Sequence, residues 1–238
     1  MVPRMPTLAA AFALAAGGLA LGAAAPVEKR VVRNWNTVVT VTPEDTHILG
    51  NPAAKVRLTE FISYTCPHCA HFEVEADAPL RVGFVAGGNG AVEVRHFIRD
   101  PVDMTVALLT NCGPASKFFL NHAAFLRNQS RWIAPLTRSS AAQRSRWTSG
   151  RFVQRTRAIA KDFGFYRIMA SRGYSAVEVD KCLANEALAN RLALATAEAQ
   201  TKLLVRGTPT FALDGVVLAG TASWDALRPQ IEARLRPQ

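Results

Sequence analysis

The spacing of apolar and polar positions changes twice along the chain. Short apolar or alternating runs in the first part predict β-strands, and a second group of such runs lies near the C-terminus. Between them, from about 103 to 204, apolar residues recur every three to four positions, which predicts roughly four or five helices. A closing helix is predicted from Ser223, a suitable N-cap, to Leu235. The predicted strands are 38–42, 55–63, 92–98, 210–213 and 216–218.

A helix is predicted directly after the second of these strands. It starts at Cys66, carries Phe72 and Ala76 on its apolar stripe and ends near Pro79. With the strand at 92–98 it completes one β-α-β unit, and the helical block and a β-β-α segment follow. We therefore expect an α/β domain that is interrupted by a large helical insertion.

The first 25 residues have the features of an export signal. Arg4 makes the N-terminal region positive, an uncharged run rich in Ala, Leu and Gly follows, and Ala23 and Ala25 form a small-x-small cleavage pattern. The alternative is an uncleaved membrane anchor, although the run is short and weakly hydrophobic for a span. The predicted divisions are a signal peptide at 1–25, an N-terminal extension at 26–52 and the main domain at 53–238, with the helical insertion at about 103–204.

Composition limits the class of protein. The chain has 238 residues, 49% of them hydrophobic, so it can bury a core of ordinary size, and four cysteines are too few for a disulfide-dense scaffold. The net charge is +10, and eight arginines without an acidic residue lie between Arg127 and Ala160. This Arg-rich segment has two interpretations, an anion-binding surface or simply solvated helix faces. Nucleic acid is not an expected partner of an exported protein.

The two cysteines of the C-x-x-C motif, Cys66 and Cys69, carry the most chemical information. Haem attachment would need His after the second cysteine, and Ala70 stands there. Zinc could use His68 and His71 as well, but one helix start cannot readily aim all four side chains at a tetrahedral ion. We expect a redox dithiol, with no metal and no cofactor.

The dithiol chemistry follows from the predicted position of the motif. Cys66 at a helix N-terminus would be stabilised as a thiolate by the free N–H groups and the positive end of the helix dipole. His68 can add a hydrogen bond or positive charge near that sulfur. Cys69, one turn further on, is the predicted resolving thiol. In an exported protein disulfides persist, which favours an oxidant over a reductant.

Three parts of the chain together carry a resemblance to a known family. The run from Glu60 to Cys69, the helical block and the run from Gly207 to Phe211 resemble the DsbA-like family of periplasmic thiol:disulfide oxidoreductases. The likeness covers roughly 53–238. It implies a thioredoxin-like fold with a large helical insertion, donation of a disulfide to newly exported proteins, and reoxidation by a quinone-linked membrane partner.

The resemblance also implies roles for individual residues. Glu60 stands where this superfamily keeps a buried acid, which makes it the predicted proton acceptor for Cys69, and the alternative is a solvated strand position. Pro209 resembles the family's cis-proline, beside which an extended substrate pairs with the backbone, and the alternative is an ordinary trans proline. Pro67, which fixes the turn of the motif, Thr208 and Pro209 are the predicted substrate-binding residues.

The second pair of cysteines, Cys112 and Cys182, lies in the helical block. We favour a structural disulfide between them, which would close a loop of about 70 residues, because free thiols near an oxidising site would be vulnerable. The alternative is two buried cysteines that pack as apolar side chains.

These observations predict a monomeric periplasmic enzyme that donates its Cys66–Cys69 disulfide to unfolded or reduced exported polypeptides. Two alternatives stay open. One is a disulfide reductase or isomerase of the same superfamily. The other is a peptide-binding or chaperone module that uses the groove without turnover.

Overall fold

The computed structural model describes Met1 and residues 33–236, and within that part of the chain six strands form one mixed sheet. The strand order is β1-β2-β4-β3-β5-β6. The central strands β3 and β4 pair in parallel, and all the other neighbours pair antiparallel. The strands are β1 Val39–Val41, β2 His47–Gly50, β3 Val56–Ile62, β4 Gly90–His96, β5 Thr210–Leu213 and β6 Val216–Val217.

The helices occupy the connections between strands, above all the one between β4 and β5. Helix α1 joins β3 to β4 and is extended by a π-helical segment at Leu80–Val85, and α11 follows β6. The helices are α1 Pro67–Pro79, α2 Pro101–Thr110, α3 Phe118–Arg127, α4 Gln129–Trp132, α5 Pro135–Arg138, α6 Ala141–Thr148, α7 Phe152–Asp162, α8 Phe165–Ser171, α9 Ala176–Leu183, α10 Glu186–Lys202 and α11 Trp224–Leu235.

Helices pack on both faces of the sheet. Side chains of a strand alternate between the two faces, so a single strand can contribute to both cores. On β3, Leu58 and Ile62 point into the main core with α1. Phe61 points to the opposite face and packs there with Ala199 of α10. Both faces of β3 are buried, so its residues form a nearly continuous buried run, as expected for a central strand with a parallel neighbour.

The sequence analysis predicts the fold class correctly, an α/β thioredoxin-like sheet with a large helical block. It predicts five of the six strands to within two residues and misses β2, whose sequence His47-Ile48-Leu49-Gly50 shows no alternation of apolar and polar residues. All four are buried, since β2 lies between β1 and β4.

The predicted number of helices in the block is wrong. Residues 101–202 are all described, and they form nine helices, α2 to α10, rather than four or five. Two of these helices are only four residues long. Pro135 begins one of them, and Gly164, in the left-handed conformation, separates α7 from α8. An apolar period of three to four residues cannot distinguish such short helices from one continuous helix.

The N-terminal predictions concern two different parts of the chain. The predicted signal peptide, 1–25, lies outside the described residues except for Met1. Part of the predicted N-terminal extension, 26–52, contributes β1 and β2 to the sheet. Within the part of the chain that the structure describes, no helix is long and apolar enough to cross a membrane.

Candidate active site

The C-x-x-C motif lies at the start of α1, directly after the central strand β3. Cys66 is the N-cap residue and has an extended backbone, with φ of −90° and ψ of 117°. Pro67 is the first helical residue, where its fixed φ suits the helix and its missing N–H costs no hydrogen bond. Both Cys66 and Cys69 are free thiols, so the structure shows the reduced dithiol.

The backbone that leads into Cys66 is held by two side chains from the helical block. The buried carboxylate of Asp103 accepts hydrogen bonds from Ser63 Oγ at 2.6 Å and from the Tyr64 N–H at 2.7 Å. Burial raises the pKa of Asp103 to about 7. Gln129 Nε2 donates to the carbonyl oxygens of Tyr64 and Cys66, at 2.6 and 2.9 Å. The insertion therefore positions the loop that carries the first cysteine.

Cys66 is surrounded by hydrogen-bond donors that favour its thiolate. Its pKa falls from 9.0 to about 5, first because of a hydrogen bond from the Cys69 thiol. Burial opposes this shift, while Thr208 and the backbone N–H groups of Cys69 and His68 add to it. The backbone donors are the free N–H groups of the first turn of α1, where an anion is stabilised.

Cys69 has the opposite environment. It is 1% exposed, and burial together with the hydrogen bond and charge of Cys66 raises its pKa well above the usual value. At neutral pH the reduced site therefore holds one thiolate at Cys66 and one protonated thiol at Cys69. This difference assigns the two sulfur atoms different roles in any exchange reaction.

The segment before β5 forms the other side of the dithiol. The peptide bond between Thr208 and Pro209 is cis. The carbonyl oxygen of Thr208 lies 3.1 Å from Cys66 Sγ and accepts a hydrogen bond from the thiol form. Strand β5 begins at the next residue, Thr210, and pairs antiparallel with β3. The two sequence motifs, which are about 140 residues apart, therefore meet at Cys66.

Glu60 lies on β3, 5% exposed, on the face that α1 covers. Burial raises its pKa from 4.5 to about 8, and the negative charges of Glu73 and Asp77 add to the shift. Among the hydrogen bonds of the described residues, none joins Glu60 to Cys69. Glu60 instead lines a cavity of about 20 Å³, shared with Glu73 and His122, which has room for one water molecule.

The acidic groups next to Glu60 are neutralised by the helical block. Arg127 of α3 donates to Glu73 Oε1 at 3.0 Å and also pairs with Asp77. His122 Nε2 lies 3.6 Å from the other oxygen of Glu73, and its Nδ1 is hydrogen-bonded to the Tyr64 hydroxyl at 2.9 Å. These contacts tie α1, the motif helix, to α3 and balance part of the negative charge around the cavity.

The side chains of His68, inside the motif, and of His71, just after it, are both exposed. The side chain of His68 is exposed, and none of the hydrogen bonds found in residues 33–236 involves it, so its structural contribution is the backbone N–H next to Cys66. His71 is also exposed and pairs with Glu75 one turn along α1, at 3.1 Å. In the described residues no group of three or more His, Cys, Asp or Glu side chains is arranged to hold a metal ion.

The second cysteine pair forms a disulfide. Cys112, just after α2, is bonded to Cys182 in α9, with their Cα atoms 5.6 Å apart. The pair is separated by 70 residues in the sequence. The bond therefore connects distant helices of the insertion and does not belong to the redox site.

Sequence analysis does not identify the residues that support the site from the helical block. Asp103, Gln129, Arg127 and His122 match no motif, and each reaches the site only through tertiary packing. The one local signal was an acidic residue and a histidine inside otherwise apolar helices, which is also common for satisfied core residues.

The chain matches known proteins over most of its length. A family model described as thioredoxin matches residues 42–233. A putative protein-disulfide oxidoreductase of Rickettsia bellii is 25% identical over 190 residues, which cover 79% of this chain and 64% of that protein. A relative of the same description from Rickettsia conorii is 26% identical and covers 80% and 61%. The chain thus spans a little over 60% of the length of these curated relatives.

Solved structures give a second comparison. The protein-disulfide isomerase from Novosphingobium aromaticivorans is 59% identical, with a TM-score of 0.78, covering 81% of this chain and 98% of that one. The alpha-DsbA1 protein of Wolbachia pipientis is 18% identical, with a TM-score of 0.65, covering 81% and 92%. The second match shows that the fold is shared.

Proposed function

The chain belongs to the thioredoxin family, as a DsbA-like member of that superfamily, and from this premise we propose that it is an exported protein-disulfide oxidoreductase. In this proposal the oxidised protein donates its Cys66–Cys69 disulfide to newly secreted proteins. The observation that supports the proposal most strongly is the opposite shift of the two thiols, with the pKa of Cys66 at about 5 and that of Cys69 well above its usual value.

The pKa difference favours giving a disulfide away. A substrate thiolate attacks Cys66 Sγ, the bond to Cys69 breaks, and Cys69 leaves as a thiolate that takes up a proton. A second substrate thiolate then attacks the substrate sulfur of the mixed disulfide, and Cys66 leaves as a thiolate. The substrate gains one disulfide, and the protein ends as the Cys66 thiolate and the Cys69 thiol. A low thiol pKa makes Cys66 a good leaving group and stabilises this reduced product.

Glu60 is the proposed proton partner of Cys69. With a pKa of about 8 it carries a proton at neutral pH and can supply it to the departing Cys69 thiolate, then recover it. Because no direct hydrogen bond joins the two side chains in the described residues, transfer requires a bridging water molecule or their approach during the exchange. In the reverse reaction Glu60 is the proton acceptor.

The substrate-binding role is proposed for the backbone on either side of the dithiol. The Thr208 carbonyl is already within 3.1 Å of Cys66 Sγ, so an extended substrate held along Thr208 and Pro209 brings its own cysteine to the same sulfur. Pro67, exposed next to Cys66, is the residue proposed for the opposite edge. His68 would tune the thiolate through its backbone N–H.

Isomerisation is the second candidate, favoured by the 59% identity to a protein titled protein-disulfide isomerase. An isomerase acts from the reduced state, with the Cys66 thiolate attacking an incorrect disulfide. The structure contains that thiolate in a stabilised form, so the same site supports both reactions. Refolding of a substrate with scrambled disulfides, compared with refolding of the fully reduced substrate, distinguishes the two.

The location and partners belong to the same proposal. We propose that residues 1–25 direct export to the periplasm, where a quinone-linked membrane oxidase restores the disulfide of a monomeric enzyme. The domain division is also a proposal: a thioredoxin-like domain at 53–238 with the helical insertion at about 103–204, to whose sheet the 26–52 extension adds β1 and β2. In support, β4 and β5 flank a helical segment that runs from Pro101 to Lys202.

Equilibration of the protein with glutathione buffers tests the direction of transfer. An oxidase of this type should have a reduction potential well above the roughly −270 mV of thioredoxin. A potential at or below that value would contradict the oxidase role, because such a disulfide is a poor donor in an oxidising compartment. Cys66→Ser and Cys69→Ser should each remove the redox transition, whereas an intact transition in either variant would assign it to other cysteines.

A further inference from the structure

A groove lies between the helical block and the loop after β4. It has a volume of about 290 Å³, and most of its wall is apolar, contributed by Ile98, Met104, Trp147, Phe152 and Ile159. The groove therefore joins the end of a central strand to α6 and α7 of the insertion. None of these side chains takes part in the thiol chemistry described above.

One residue of the groove wall contacts the loop that carries the first cysteine. Asp100, in its wall, accepts a hydrogen bond from the hydroxyl of Thr65 at 2.6 Å, and Thr65 immediately precedes Cys66. The other carboxylate oxygen of Asp100 accepts the N–H groups of Val102 and Asp103, both at 2.9 Å. The negative charge of Asp100 is thus already hydrogen-bonded to three donors at the start of α2.

Two arginines give the groove its charge. Arg99 and Arg155 both line it, and neither forms an ion pair with any residue in the described part of the chain. Arg155 is half-buried, its Nε is buried with no hydrogen-bond partner among residues 33–236, and its guanidinium lies 5.8 Å from the centre of the Phe152 ring. A buried donor without a partner has lost its hydration and gains from an anion that restores the hydrogen bond.

Other arginines of the Arg-rich segment differ in this respect. Arg127 pairs with Glu73, Arg146 with Asp162 and Arg157 with Asp180. Arg155 is the member of the segment that lines the groove. The arginines of the segment therefore differ. Most form ion pairs or are exposed to solvent, and one lines an apolar groove.

We propose that this groove binds an extended segment of the substrate in which an apolar residue stands next to a carboxylate. The apolar side chain enters the cleft between α2 and α7, and the carboxylate pairs with Arg155 and Arg99. The substrate's cysteine then reaches Cys66 past the contact between Asp100 and Thr65. This inference rests on the proposed function, since it assigns a sequence preference to the same reaction.

A binding measurement without redox chemistry tests the preference. The probe is a short peptide with leucine-aspartate near a serine that replaces cysteine, compared with the same peptide carrying leucine-asparagine. Affinities are measured calorimetrically on the full chain with both Cys66 and Cys69 changed to alanine. We expect the aspartate peptide to bind about three- to tenfold more tightly, the range for a partly desolvated arginine-carboxylate pair, and raised salt to reduce the difference.

Two arginine variants provide the matched comparison. Arg155→Gln should abolish the preference for aspartate, and Arg155→Lys should keep part of it. Arg138→Gln removes the same charge from an exposed position of the same segment outside the groove and should keep the preference in full. Thermal unfolding of each variant shows whether it is folded, and the lysine variant covers the case in which the glutamine variant is not.

Several outcomes would overturn the inference. These are equal affinity for the two peptides, an equal loss in Arg155→Gln and Arg138→Gln, binding of phosphatidylglycerol vesicles in place of the peptides, or a concentration-dependent dimer that occupies the groove. The proposed function is tested separately, by disulfide donation. A protein that donates its disulfide without any peptide preference refutes the groove alone, and one that shows the preference but donates no disulfide refutes the oxidase alone.

Discussion

Lowering the pH should destabilise the reduced protein far more than the oxidised protein, because only the reduced protein contains the Cys66 thiolate. The folded structure lowers the pKa of Cys66 from 9.0 to about 5. Its contribution to stability is therefore complete above pH 9 and is lost as the pH falls through 5. At pH 7, two pH units below the ordinary pKa of 9.0, the thiolate contributes about 2.7 kcal/mol in favour of the reduced form. This free energy is equivalent to about 58 mV.

The thiolate can be observed directly by its absorbance near 240 nm. The difference between reduced and oxidised protein should show a transition with a midpoint near pH 5, and urea unfolding should show the reduced form losing about 2 kcal/mol relative to the oxidised form between pH 7 and pH 5. Cys69 stays protonated over this range because its pKa is raised, so it adds nothing to the transition.

Two variants assign the transition to its cause. Cys66→Ser should remove it. Cys69→Ala should keep it but move its midpoint upwards by about 1–2 pH units, since the hydrogen bond from Cys69 is the largest contribution to the shift and a hydrogen bond to a charged group contributes about 1.5–3 kcal/mol. A midpoint near 9 in the unsubstituted protein, or an unchanged transition in Cys66→Ser, would show that the fold does not stabilise a thiolate at Cys66.

Three further substitutions test the surroundings of the dithiol. Glu60→Gln should raise the free energy of unfolding at pH 7 by up to about 3 kcal/mol and have little effect at pH 4, because a carboxyl whose pKa is raised to about 8 costs stability only above its ordinary value of 4.5; urea unfolding at both pH values measures this. Arg127→Met should lower the free energy of unfolding by about 1–2 kcal/mol, because it leaves the buried carboxylate of Glu73 with weaker pairing. An unchanged free energy of unfolding would mean that solvent screens this half-exposed ion pair completely. Cys112→Ser should lower the unfolding free energy by about 3–4 kcal/mol through loss of the disulfide to Cys182, while the titration of the active-site thiolate stays in place.

Sequence patterns predict the central part of the fold because its signals are local. The apolar strand β3, the cysteine at the start of α1 and the strand after Pro209 each lie within about ten residues of the motif that marks them. Helix α11 is predicted for the same reason, since its N-cap residue, Ser223, marks where the helix begins. These elements place both motifs at the same end of the neighbouring strands β3 and β5.

The remaining parts of the site depend on packing between distant residues. The sequence places Glu60 near the dithiol, but the charges closest to it, Glu73 and Asp77, come from α1 by its orientation on the sheet. Gln129 reaches the Cys66 carbonyl from a four-residue helix that no apolar period reveals. The helical block therefore supports the site through contacts that spacing along the chain cannot encode.

Direct transfer of the disulfide to a substrate tests the central claim most closely. Oxidised protein is mixed in equal amounts with a reduced, unfolded protein, the reaction is stopped with a thiol-blocking reagent, and the intact masses are measured. We expect the substrate to become disulfide-bonded while Cys66 and Cys69 become blockable. We also expect Cys69→Ala, pre-loaded as a mixed disulfide at Cys66, to release its partner to substrate thiols. A protein that keeps its disulfide in the presence of the reduced substrate would contradict disulfide donation.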